Sequence, residues 1–268
     1  LGSRAMIISK VGYDFDTEYE KILTSRGVNT SQVLVVRRKR TTRFINDYRT
    51  GERRQYVEAV CSRIRANDLK GEEWISSDAV YFGPIIGEIS EEIIRRLACR
   101  GVFSVIDPQG YCRLIGSNGR VVSVPWKTWK RIVGLVNVVK ASIEEARVMT
   151  GLRDEIRIAK EILKRGTEIV AITLGGKGSI LAFRDSILRI PTISPPEEVD
   201  FTGAGDIYLA TLLQNLLENR DPIVSGCLAS VAASLSVQTI GLEKVPSRES
   251  ILKAFSTYKI TDKVEVLV

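Results

Sequence analysis

From residue 78 onward the chain alternates two kinds of apolar pattern. Short continuous runs at 79–82, 102–106, 135–139 and 169–174 have the length of buried strands. Longer stretches with helical spacing cover 90–100, 142–150, 154–165, 203–218, 221–238 and 247–255. This alternation predicts an α/β protein with a mostly parallel central sheet covered by helices on both faces. Ligands of such sheets bind beyond the carboxyl ends of the strands, so functional residues are expected just after them.

The first part of the chain reads differently. Residues 5–9 have a buried-strand pattern. Residues 16–26 predict a helix: Asp16 suits its cap, Glu18 and Glu20 its first turn, and Gly27 its end. Short strand candidates follow at 33–36, 43–48 and 55–60, separated by polar turns that include Arg49-Thr50-Gly51-Glu52. A small sheet outside the main core is expected there. A chain of 268 residues suits one large domain with a small appendage. Residues 191–196, with Pro195 and Pro196 adjacent, predict a rigid loop.

The sequence contains no histidine. That removes imidazole acid–base chemistry, His-dependent nucleophiles and His-ligated zinc. Cys61, Cys99, Cys112 and Cys227 are too widely spaced for a CxxC site, and read as reduced thiols. The net charge is +7. The densest basic cluster, Arg37-Arg38-Lys39-Arg40 with Arg43 behind it, lies between two apolar runs. It reads as a solvated hairpin turn, with a nucleic-acid patch as the alternative. Abundant Arg, Lys and Glu with few Asn and Gln matches the composition of thermophilic proteins. No apolar run reaches the ~20 residues that cross a bilayer. The first residues lack a signal-peptide core, so a soluble, cytoplasmic protein without a membrane partner is expected.

The most informative segment is Asp200-Phe201-Thr202-Gly203-Ala204-Gly205-Asp206, directly before a long apolar helix. Glycines let the backbone turn tightly and bring its N–H groups close to a ligand. A helix N-terminus adds the positive end of its dipole, which suits a phosphate. A carboxylate in that first turn, Asp206, is placed to take a proton from an attacking hydroxyl. Acidic residues also favour helix N-termini for stability alone.

The seven-residue string resembles the D-T-x-G-A-G-D signature of the ribokinase-like, or PfkB-type, carbohydrate kinases, with Phe201 in place of the usual threonine. The resemblance implies a three-layer α/β/α fold with a mostly parallel sheet and a small β-sheet lid. It divides the chain into a core start at 1–31, a lid at 32–62 and a nucleotide- and substrate-binding core at 63–268. It implies Gly203, Ala204 and Gly205 as the anion hole, Asp206 as catalytic base, Thr202 at the nucleotide, and Asp200 near the phosphates or an associated cation.

Further segments match in order. Thr173-Leu174-Gly175-Gly176-Lys177-Gly178 resembles the family's nucleotide-binding turn, which implies Thr173, Gly175 and Gly178 as ATP contacts; a plain strand-to-hairpin turn explains it equally well. The stretch from Lys140 through Ser142 to Glu145 resembles the segment holding the N-x-x-E motif, with Ser142 where Asn is usual. The resemblance places Lys140 and Ser142 at the nucleotide and Glu145 at Mg²⁺; Ser142-x-x-Glu145 is equally a capping box. Thr239-Ile240-Gly241-Leu242 resembles the stretch at the adenine pocket and a monovalent-cation site, which implies Gly241; an apolar helix ending in glycine is the plainer account. Val11-Gly12-Tyr13-Asp14 resembles the turn after an early family strand. Val80–Pro84 and Asp107-Pro108-Gln109-Gly110 resemble the branch with inositol and archaeal sugar kinases. Asp14, Thr42, Arg43 and Gln109 are the implied substrate contacts.

The front departs from the family pattern. An additional strand, an acidic substrate residue and a Gly-Gly hinge usually precede the equivalent of Met6, so the sequence reads as shortened there. The resulting expectation is ATP-dependent phosphorylation of a small sugar or polyol, with Mg²⁺, no nucleic-acid partner, and a homodimer through the lid. The alternative is a nucleotide-binding protein without kinase activity.

Overall fold

The computed structural model describes residues 2–268 except 48, 50–53, 70, 72, 73, 75, 195–197 and 242–244. The turn at Thr50-Gly51-Glu52, the Pro195-Pro196 pair and Leu242 lie outside the described residues. In chain order, β1 (Met6–Gly12), α1 (Thr17–Ser25), β2 (Asn29–Val36), β3 (Arg43–Asp47) and β4 (Arg54–Ala59) make the first part. Then come β5 (Ala79–Phe82), α2 (Glu91–Ala98), β6 (Phe103–Ile106), β7 (Arg113–Ile115), β8 (Val121–Ser123), α3 (Trp129–Ile132) and β9 (Val138–Ser142). The remainder is α4 (Ile143–Thr150), α5 (Glu155–Leu163), β10 (Ile169–Thr173), β11 (Ser179–Phe183), β12 (Ser186–Ile190), α6 (Ala204–Leu217), α7 (Pro222–Ser236), α8 (Arg248–Tyr258) and β13 (Glu265–Val266).

The central sheet has seven strands in the order β13-β12-β11-β10-β9-β6-β5. β5, β6, β9 and β10 are parallel; β11, β12 and β13 continue the sheet antiparallel. Side chains alternate across it. Ile106, Val139, Val170 and Ile172 face one core with Ile94, Leu97, Ile132, Ile158 and Ile162 of α2, α3 and α5. Val105, Val138 and Ala171 face the other core with Leu209, Leu212, Leu228, Val231 and Ile251 of α6, α7 and α8. Each fully buried Leu or Ile contributes about 1.5–3 kcal/mol relative to exposure. The architecture is the three-layer α/β/α arrangement the alternation predicts.

The strands between 29 and 59 do not form one sheet. β2 pairs parallel with β1, as a βαβ crossover through α1, whereas β3 and β4 pair antiparallel on their own. The basic cluster 37–40 is therefore not a hairpin turn, because the strands it joins do not pair. It is a crossing loop held by β1's end: Tyr13 N–H donates to Lys39 O, and Gly12 N–H to Thr41 Oγ1 at 2.9 Å. A Cβ on Gly12 would collide with the Arg40 and Thr41 backbone. The β3–β4 hairpin leans on the β7–β8 hairpin through a bridge between Tyr56 and Arg120. Among the described residues no helix is long and apolar enough to cross a membrane.

Candidate active site

The glycine turn enters α6 through Gly203, whose φ of +80° is the left-handed region glycine favours. Every other helix of eight or more residues has a side-chain N-cap, from Asp16, Ser90, Ser142, Asp154, Asp221 or Ser247. α6 has none. Ala204 N–H donates to Phe201 O and Ile207 N–H to Gly203 O, but among the described residues Gly205 and Asp206 N–H have no chain acceptor. Such first-turn N–H groups, at the positive end of the dipole, form a ready anion site. Thr202 N–H donates to Asp200 Oδ1 at 2.9 Å. Val199 and Asp200 N–H both donate to Val237 O, tying the turn to the end of α7. Phe201 and Ile240 beside this junction are 61% and 68% exposed, and Gly241 follows with φ of +71°.

A buried cation lies under the turn. Lys140 shares the sheet face of Val138, two residues before it, and so points towards α6. Its Nζ is 2.6 Å from Asp107 Oδ2, and the two residues are only 4% and 3% exposed. A Cβ on Gly205 would sit 2.5 Å from that Nζ. Burial works against the ammonium, but Asp107, Glu145 and Asp206 outweigh it and raise its pKa above the usual lysine range. Asp107 Oδ1 accepts from Gln109 N–H at 3.0 Å, so both carboxylate oxygens are engaged.

Asp206 is exposed, and its Oδ1 accepts from Tyr81 Oη at 3.1 Å. Burial, with Asp206, Asp107 and Glu145, pushes the Tyr81 hydroxyl far above its usual pKa, so it stays protonated and donates. Sequence reasoning missed Tyr81 and Asp107 as site residues. Tyr81 lies one residue before the end of β5 and Asp107 directly after β6, at the carboxyl ends of parallel strands, which was the available signal.

The capping box at α4 is present: Ser142 N–H donates to Glu145 Oε2 and Glu145 N–H to Ser142 Oγ. Glu145 still acts electrostatically on Lys140 and Tyr81. Among the described residues no group of three His, Cys, Asp or Glu side chains is arranged to hold a metal ion. Mg²⁺ keeps water and phosphate oxygens as most of its ligands, so it does not require such a group.

The 173–178 turn joins β10 to β11, with Leu174 N–H donating to Gly178 O. Thr173 Oγ1 reaches Ala141 O at 3.5 Å. Gly175 has φ of +61° and open space around it; a Cβ on Gly178 would run into Ile190 O. Three of the four implied substrate residues, Asp14, Thr42 and Arg43, form a separate group at the root of the β3–β4 hairpin. Asp14 accepts from Thr41 N–H at 2.6 Å and Arg40 Nε at 3.1 Å. Chiefly through the Thr41 N–H, its pKa falls to about 2. Thr42 Oγ1 accepts from Cys61 N–H, and Arg43 pairs with Glu58. Gln109 is half-buried in the turn after β6. A cleft of about 910 Å³ lies nearby, lined by Arg63, Ile86, Tyr111 and Arg113 among others; Asp206 is not in its wall.

Residues 114–248 match the pfkB family of carbohydrate kinases, and the chain belongs to that family. It is 33% identical over 144 residues to the bifunctional ribokinase/ribose-5-phosphate isomerase A of Fructilactobacillus sanfranciscensis, which covers 51% of this chain but only 26% of that protein. It is 28% identical to a nucleoside kinase of Methanothermobacter thermautotrophicus, over 96% of this chain and 80% of that one. A solved pyrophosphate-dependent kinase in the ribokinase family, complexed with a pyrophosphate analog and myo-inositol, superimposes with a TM-score of 0.78 at 23% identity, covering 94% of this chain and 86% of that one. That likeness establishes the ribokinase fold.

Proposed function

We propose that the chain is an ATP-dependent kinase that phosphorylates a hydroxyl of a small sugar or polyol, with Asp206 as general base. The observation that carries this is the first turn of α6. It presents Asp206 beside two N–H groups that have no acceptor among the described residues, and a buried ammonium lies directly beneath.

The acceptor hydroxyl sits between Asp206 and the γ-phosphate. Its oxygen forms the new bond to phosphorus, the bond to the bridging oxygen breaks, and ADP leaves. Asp206 takes the hydroxyl proton, help worth typically 10²–10⁴-fold. The Gly205 and Asp206 N–H groups and the Lys140 charge stabilise the transferring phosphoryl oxygens. Fixed donors in a site closed to water are effective because they need no reorganisation. Mg²⁺, when bound, would neutralise charge on the donor phosphates; Glu145 and Asp200 would be the carboxylates that hold it through water. The exposed Phe201 and Ile240 offer an apolar surface for the nucleobase. The β3–β4 hairpin would close over the acceptor and exclude water. Its exposed Ile45, with Leu114 and Val122 of the neighbouring hairpin, is an apolar face suited to a second copy of the chain.

A panel of inositols, ribose-like sugars and nucleosides, each offered with ATP or pyrophosphate and followed by phosphorus NMR, tests the reading. Acceptor-dependent conversion of ATP to ADP supports it. Nucleotide binding with no acceptor phosphorylated would leave a binding protein. Transfer from pyrophosphate alone would overturn the ATP assignment and keep the transferase.

A further inference from the structure

Tyr81 pairs with Val105 across β5 and β6, and Val105 with Val138 across β6 and β9. These three side chains share the face under α6, where the Tyr81 ring packs against the second core. Its hydroxyl emerges at the first helical turn and donates to Asp206 Oδ1 at 3.1 Å. A second feature reserves its place: a Cβ on Gly83 would lie 3.0 Å from Tyr81 Cζ and 3.1 Å from its Oη.

An exposed carboxylate on a helix has several staggered rotamers open to it. A donor on a rigid strand selects one of them. We propose that Tyr81 is a positioning residue for phosphoryl transfer: its hydroxyl fixes Asp206 through Oδ1 and leaves Oδ2 for the acceptor hydroxyl. The inference rests on Asp206 acting as base. Tyr81 itself takes no proton, because its hydroxyl already donates to that carboxylate.

The experiment compares wild type, Tyr81→Phe, Asp206→Asn and the double variant under single turnover, so that slow rates remain measurable. Phenylalanine keeps the ring and its packing. Tyr81→Phe is expected to lower the transfer rate by about tenfold and to leave KM for donor and acceptor within about twofold, the signature of lost orientation rather than lost binding. In the Asp206→Asn background the same change should cost less than about twofold, because the group it positions is gone. An unchanged rate in Tyr81→Phe, a matching rise in KM, or an equal loss in both backgrounds would overturn the positioning role. A near-normal rate in Asp206→Asn alone would overturn the base assignment on which it rests.

Discussion

The ammonium of Lys140 fills the space where a side chain on Gly205 would begin: a Cβ there would lie 2.5 Å from Nζ. The ammonium is held by Asp107 at 2.6 Å and is buried. Gly205→Ala must therefore displace either the ammonium or the first turn of α6. Misplacement of about 1 Å at a reacting centre can cost ~100-fold. Turnover should fall by about that factor while far-ultraviolet dichroism stays native; wild-type turnover would mean the turn tolerates displacement.

The same buried pair makes a stability prediction. Removing one member leaves an uncompensated charge, which costs about 3–5 kcal/mol. Asp107→Ala should lose that much in urea unfolding. Pairing it with Lys140→Met should recover much of the stability, since apolar replacements of buried pairs are often neutral. Activity should not return, because the fixed positive charge is gone.

Two glycines of the 173–178 turn are required for different reasons. Gly178 has φ of +84° and the Ile190 carbonyl against it; Gly175 has φ of +61° and nothing within 4 Å. Gly178→Ala should cost at least about 2 kcal/mol in denaturant unfolding, from strain plus collision. Gly175→Ala should cost only ~1 kcal/mol. If the turn meets the donor, Gly175→Ala will raise KM for ATP without that larger loss of stability.

Much of this was legible in the sequence. The expected helix starts at Asp16, Ser90, Ser142, Asp154, Asp221 and Ser247 are the residues that cap those helices, because short polar side chains before apolar periodicity have one local use. The glycine turn before α6 was legible for the same local reason. Pairing was not. β2 joins β1 instead of β3, a choice made by the α1 crossover and the packing of Gly12 against the 39–41 backbone. Tyr81 and Lys140 are far apart in sequence and meet around α6 only through strand register, which no local pattern encodes.

The root of the β3–β4 hairpin should respond to acid. The Thr41 N–H, helped by Arg40, lowers the Asp14 pKa from the usual 3.8 to about 2. With the folded value below the unfolded one, the unfolded chain binds more protons in acid. The contribution is present above pH 3.8 and lost as pH falls towards about 2. The protection factor of the Thr41 N–H, which corrects for the intrinsic pH dependence of exchange, should fall across that window. In Asp14→Asn it should be low throughout, with the acid dependence flattened.

The proposed transfer depends on the Asp206 carboxylate, and its most direct measurement is ATP affinity and turnover of Asp206→Asn, side by side. ATP affinity should stay within about threefold of wild type, while transfer falls at least ~100-fold, the loss expected of a missing general base. A nearly normal turnover number in that variant would contradict the account.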